Sequence, residues 1–182
     1  MKNKLSIPTI VFHWVTGLLF IGVMALGLYV EGLPRAPEKF ELLGIHKSLG
    51  VIVLVVAILR LFWRLKEGSI SSVAKLTNIQ KVLATGVHHA LLLGTLLMPI
   101  SGVMMSIGSG RAIDLFGLEL ISAGAKVEWL SGLGGNIHGI AANVLIAALV
   151  LHIVGALKHQ IIDKDGTVSR MLGRKVDAHQ SV

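Results

Sequence analysis

Apolar positions in this chain gather in long, nearly unbroken runs that are too continuous for a water-facing shell. Four runs reach the roughly 20 mainly apolar residues that a helix needs to cross the hydrocarbon core of a bilayer. They cover residues 7–30, 42–63, 83–107 and 137–158, and the pattern predicts four membrane-spanning helices. Pro99 falls inside the third and predicts a kink, which membrane helices tolerate because neighbours re-satisfy the freed carbonyl. The first run is long enough to span and lacks a clear small-residue cleavage site after it, so it reads as a helix and not as a signal peptide. Between the third and fourth runs, residues 108–135 read as a long connection, with a short surface helix over residues 126–130.

Composition strengthens this picture. Of 182 residues, 53% are hydrophobic and 15% charged, with a mean hydropathy of +0.77; soluble domains carry about 25% charged residues. The predicted architecture is an all-α integral membrane protein, an antiparallel four-helix bundle over residues 1–175 with a polar, disordered tail at 176–182. Cysteine is absent, which excludes a disulfide framework, an iron–sulfur cluster held by this chain and covalent c-type haem attachment. A net charge of +7 suits a nucleic-acid partner, but the cations lie between the apolar runs, where a protein embedded in a lipid bilayer places them. No nucleic-acid partner is expected.

The cations also orient the chain. Lys2, Lys4, Arg60, Arg64, Lys66, Lys75, Lys81, Lys158, Lys164, Arg170, Arg174 and Lys175 fall on the side of the N-terminus. Only Arg35, Lys39, Lys47, Arg111 and Lys126 fall on the other side, called side B here. The positive-inside rule makes the first side cytoplasmic, with both termini there, in a bacterial inner membrane. Trp14, Trp63 and Trp129 fall near the expected interfaces.

Seven of the eight histidines lie inside or at the edge of a span. A single histidine there is as well explained by a hydrogen bond to a neighbouring helix, but four of them form a pattern. His13 lies early in the first helix and His46 early in the antiparallel second, so they sit at opposite depths. His138 and His152 lie near the two ends of the fourth helix, 14 residues apart. Fourteen residues rise about 21 Å and return to within about 40° of the same helix face. His138 is therefore level with His46, and His152 with His13. Glycines three or four residues from each (Gly17, Gly50, Gly134 and Gly155) share its helix face and leave room for a flat plate.

A tetrahedral zinc site needs ligands that converge. Two pairs separated by about 20 Å of depth make no such site, and no mid-span carboxylate supplies further ligands. Two bis-histidine haems b, stacked across the membrane, fit better. With both axial positions filled, outer-sphere electron transfer is the expected chemistry. Arg60, 14 residues after His46 and at the cytoplasmic depth, reads either as a propionate partner of the His13/His152 haem or as a positive-inside anchor.

The stretches FHW with His13, HKSLG with His46, RLFWRL from Arg60, MPISG around Pro99, NIHG with His138 and LHIVGALKHQIIDKD with His152 resemble the bacterial cytochrome b561 family. The resemblance spans about residues 7–173 and is strongest to its small stand-alone members, which include superoxide oxidase. It implies haem ligation by His13 with His152 and by His46 with His138, the pairing that depth alone gives. It also implies ubiquinone as electron acceptor, with electrons running from extracytoplasmic superoxide to the quinone pool.

His88 and His89, read as opening the third helix, and His159, ending the fourth, are expected at the cytoplasmic edge. His88 and His159 match family positions associated with quinone, with Lys158 beside them; the alternative is interfacial histidines bonded to headgroups. His179 belongs to the polar tail. On side B, Lys47, Arg111 and Lys126 are candidates for attracting superoxide, although five cations face six acids there, so the attraction must be local. Two other roles fit the same helices: an anchor subunit passing electrons between a dehydrogenase or hydrogenase partner and quinone, and a passive carrier serving a soluble redox protein.

Overall fold

Side-chain caps mark where two of the four long helices begin. The computed structural model describes residues 4–68, 70, 73 and 76–176. Helix α1 (Ile7–Gly32) starts at Ser6, whose Oγ accepts the Thr9 amide at 3.4 Å, with Pro8 in the first turn, where its missing N–H is no loss. Helix α2 (Pro37–Glu67) opens on Pro37. Lys39 Nζ fastens the α1–α2 corner by donating to the carbonyls of Leu33 at 2.7 Å and Glu31 at 3.2 Å. Helix α3 (Asn78–Gly108) opens in a capping box: Thr77 Oγ1 accepts the Gln80 amide and Gln80 Oε1 accepts the Thr77 amide, which satisfies two orphan donors at once.

These starts lengthen the predicted spans. Helices α2 and α3 each begin five residues before the predicted 42 and 83, and helix α4 (Glu128–Lys158) begins nine before the predicted 137. The added turns carry Glu38, Lys39 and Glu41, then Gln80 and Lys81, then Glu128. An apolar count ends where polar residues begin, but the hydrogen-bonded helix continues. Two expectations are corrected as a result. The surface helix expected at 126–130 is the first turn of α4, with Lys126 outside it, and His88 and His89 lie ten and eleven residues into α3 instead of opening it.

The connection between α3 and α4 also holds a two-stranded antiparallel hairpin, β1 (Ile113–Leu115) and β2 (Leu118–Ile121), which the all-α prediction omits. Its turn places Phe116 and Gly117 at φ of 50° and 91°. Ser48 of α2 locks it, donating from Oγ to the Asp114 carbonyl at 2.9 Å and accepting the Phe116 amide at 3.0 Å. After Lys158, α4 passes into a π-helical turn (His159–Asp163), which Lys164 ends in the left-handed region; a short helix α5 (Thr167–Met171) follows. Trp14 of α1 ties α5 down by donating from Nε1 to the Met171 carbonyl at 2.9 Å.

All four long helices meet in one apolar cluster of Phe20, Val53, Met98, Ala141 and Leu145. The closest packing is between α3 and α4, where Gly94 lies under the Leu145 side chain and Gly134 against the backbone of Met105 and Ser101. Small residues at such contacts let membrane helices approach closely. Outward, Leu18, Phe62, Leu93, Ile140 and Val154 are exposed. In the most apolar window of α4 only 17% of residues are buried by protein. The four helices are long and apolar enough to cross a membrane, and their outer surface suits acyl chains and not water.

Candidate functional site

The fold brings the four predicted histidines together in the two predicted pairs. His13 and His152 have ring centres 6.0 Å apart, and His46 and His138 have ring centres 6.4 Å apart. An imidazole nitrogen sits about 2 Å from a metal it binds and about 1 Å from its ring centre, so two imidazoles sharing one ion from opposite sides have centres about 6 Å apart. Both pairs meet that spacing. Each pair also joins helices that hardly pack on one another: α1 to α4, and α2 to α4. Histidines bridging unpacked helices suit a flat group seated between them.

Hydrogen bonds set the ring orientation on side B. His46 Nδ1 lies 3.1 Å from the Val23 carbonyl, and His138 Nδ1 lies 3.0 Å from the Met98 carbonyl and 3.0 Å from Ser101 Oγ. An Nδ1–H given to a carbonyl fixes the tautomer and turns Nε2 into the free donor atom for a metal. Ser101 Oγ itself donates to the Met98 carbonyl at 2.8 Å, one residue before Pro99. Among the described residues, His13 and His152 make no such bond.

One of the four expected glycines plays a different part. A Cβ on Gly17, Gly50 or Gly155 would meet nothing within 4 Å, which leaves the room a plate requires, whereas Gly134 belongs to the α3–α4 contact. The residues that touch the His46 and His138 rings come from other helices. A Cβ on Gly27 would lie 2.8 Å from His46 Cε1, and one on Gly102 would lie 3.4 Å from His138 Cε1.

At the other level the His13/His152 pair has a third neighbour. The rings of His88 and His152 have centres 5.3 Å apart, closer than two imidazoles on opposite sides of one metal, so His88 flanks the pair from α3. Arg60 acts electrostatically on His13, His88 and His152. Arg64, one turn on, acts on Arg60 and His88, and its Nη1 is buried without a hydrogen-bond partner among the described residues. A buried guanidinium edge of this kind suits a carboxylate such as a haem propionate. Arg64 adds to the predicted site; only its regular distance from Arg60 along α2 hinted at it.

The quinone candidates are more scattered. His159 lies at the start of the π-helical turn, with Nδ1 2.7 Å from Asp165 Oδ2 and 2.9 Å from Asp163 Oδ2. Lys158 Nζ is paired with Asp163 at 2.6 Å, so its charge is partly engaged. His89 turns back on its own helix, with Nδ1 2.8 Å from the Thr85 carbonyl, and His179 lies outside the described residues.

On side B, Lys47 and Arg111 line one cavity of about 300 Å³ with Phe40, Leu43, Gly44 and Asp114. Arg111 and Lys126 line a neighbouring one of about 440 Å³ with Glu128 and Ser131 among its walls. Lys47 Nζ donates to the Ala112 carbonyl at 3.0 Å. The three predicted cations thus adjoin one another through Arg111, each cavity also holding an acid.

Residues 4–174 match the family model for prokaryotic cytochrome b561. The chain is 30% identical over 184 residues to cytochrome b561 homolog 2 of Escherichia coli (strain K12), covering 94% of this chain and 93% of that protein. It is 27% identical over 175 residues to cytochrome b561 homolog 1 of the same organism, covering 95% and 99%. It is 28% identical over 176 residues to a protein of Yersinia pestis named probable superoxide oxidase CybB, covering 96% and 99%.

Proposed function

This chain belongs to the prokaryotic cytochrome b561 family, and from that premise we propose that it oxidises superoxide to dioxygen on side B and reduces ubiquinone at the cytoplasmic face. It is a multi-pass membrane protein of a haem b electron-transfer family. Two haems b, held by His13/His152 and His46/His138, would supply one-electron storage at two depths. The observation that carries this reading is that His13 pairs with His152 and His46 with His138 at ring-centre spacings of 6.0 and 6.4 Å, which suit a shared metal.

The chain's own residues have separable tasks. The Val23 and Met98 carbonyls hold His46 and His138 by Nδ1. Arg60 and Arg64 meet the acidic edge of the cytoplasmic-side group, Arg64 with an unspent buried donor. Lys47, Arg111 and Lys126 concentrate the anion at the side B cavities over a range of about 8–10 Å at physiological salt. His159, 21% exposed at its side chain, stands where a quinone carbonyl would be met, with His88 deeper, against His152. The electron count closes with two superoxide anions releasing two electrons as two dioxygen molecules, and ubiquinone taking two electrons and two protons. The bacterial inner membrane, with both termini cytoplasmic, is the placement that the cation distribution favours.

Stopped-flow mixing of purified protein with superoxide, with and without a ubiquinone analogue, tests the reading. Superoxide should reduce the protein faster than it dismutates, and quinone should reoxidise it. His159→Ala should slow the quinone step and leave the visible spectrum nearly intact. His88→Ala should also perturb the spectrum, because His88 lies against His152. Reduction no faster than dismutation would favour an anchor subunit that receives its electrons from a dehydrogenase or hydrogenase partner.

A further inference from the structure

Asp165 has both of its carboxylate oxygens engaged in hydrogen bonds. It is 9% exposed. Its Oδ1 accepts the Thr167 amide at 2.9 Å and the Thr167 hydroxyl at 2.6 Å, while its Oδ2 lies 2.7 Å from His159 Nδ1. Burial alone would raise its pKa, but the bonds from Thr167 and His159 outweigh that and hold the carboxyl below the ordinary carboxylate value. It is therefore an anion at neutral pH.

Local backbone geometry explains the placement. The π-helical turn widens the end of α4, and Lys164 at φ 52° reverses the chain. The Asp165 amide then returns to donate to the His159 carbonyl at 3.2 Å. Six residues apart in sequence, the two side chains meet only because of this reversal. Asp163 also reaches His159 Nδ1, at 2.9 Å, but it is more exposed and shares its Oδ2 with Lys158. Asp165 has no competing cation among the described ion pairs.

We propose that Asp165 is a positioning residue for quinone reduction: it holds Nδ1–H of His159 on its carboxylate, so that Nε2 meets a quinone carbonyl and passes it a proton. The inference rests on the quinone reading above. A neutral imidazole has one N–H, and a carboxylate that claims it at Nδ1 fixes the tautomer. The protonated ring carries a second N–H at Nε2, and the ionised carboxylate is the counter-charge that form needs. When the quinone has taken two electrons, one of its two protons leaves His159 Nε2 for a carbonyl oxygen and leaves a neutral ring still bonded through Nδ1 to Asp165. Cytoplasmic water returns that proton to Nε2 and supplies the other quinone oxygen.

The test uses the purified full chain in detergent, loaded with haem and reduced with dithionite. Reoxidation is followed with a ubiquinone analogue, which needs protons, and with ferricyanide, which does not. D165N preserves the shape and removes the charge. It should slow the quinone reaction about tenfold or more, the lower range of a positioned acid's contribution, raise its solvent deuterium isotope effect and leave the ferricyanide rate and haem content unchanged. In an H159A background, D165N should add no further loss, because Asp165 acts through His159. Quinone rates in D165N equal to wild type would overturn the proposal. So would equal slowing with both acceptors, an additive loss in the double variant, or the same loss in D163N. If quinone fails to reoxidise even the wild-type protein, the quinone reading itself falls, and this proposal with it.

Discussion

Alanine at His13 or at His152 should remove one and the same haem, and alanine at His46 or at His138 should remove the other. Each single replacement should therefore halve the haem content, and the two single variants within a pair should share one residual spectrum. The expectation follows from the ring-centre spacings of 6.0 and 6.4 Å and from the helices each pair joins. With one histidine of a pair removed, the haem would be held by a single protein ligand between helices that hardly pack. Redox-resolved absorption spectra of the four variants check this. If the His13 and His46 variants lost the same spectral component, the pairing would be wrong. His88 sharpens the test at the His13/His152 pair, since it stands near enough to His152 to replace His13 by a shift of the α3 side chain.

Gly134→Val should disrupt the α3–α4 contact strongly. A Cβ at Gly134 would sit 2.6 Å from the Met105 amide nitrogen and 2.9 Å from the Ser101 carbonyl oxygen. Both are helix backbone, which cannot swing aside as a side chain can. The two helices must part, at a cost of about 1–3 kcal/mol for overpacking. The strain falls one turn from His138, and Ser101 is bonded to that ring. Thermal unfolding in detergent should show a lowered midpoint, and the remaining folded protein should have lost the His46/His138 haem preferentially. Gly22→Ala is the control, because a Cβ there meets nothing within 4 Å and should change stability by no more than about 0.5 kcal/mol. Equal tolerance at both positions would contradict the close α3–α4 contact.

The sequence is informative where a single segment carries the signal. Apolar runs reveal the four spans, and the 14-residue interval between His138 and His152 places two histidines on one face of α4. Depth then pairs them with His13 and His46. What depends on the approach of separate segments stays hidden. Spacing within a helix points to Gly134 as a neighbour of His138, whereas the rings rest against Gly27 and Gly102 from other helices. The polar first turns of α2, α3 and α4 lie beyond the apolar runs, which is why His88 reads as edge and folds as flank. The hairpin escapes notice because its turn is Phe116–Gly117, without the Asn or Asp that marks such turns. Asp165 reads as one more solvated acid until the π-helical turn and Lys164 bring it back to His159.

The haem-to-protein ratio of the purified wild-type chain tests the central claim most directly. Pyridine haemochrome analysis against an independent protein concentration should give two haems b per chain, one for each histidine pair. A ratio near one would contradict the two-site account.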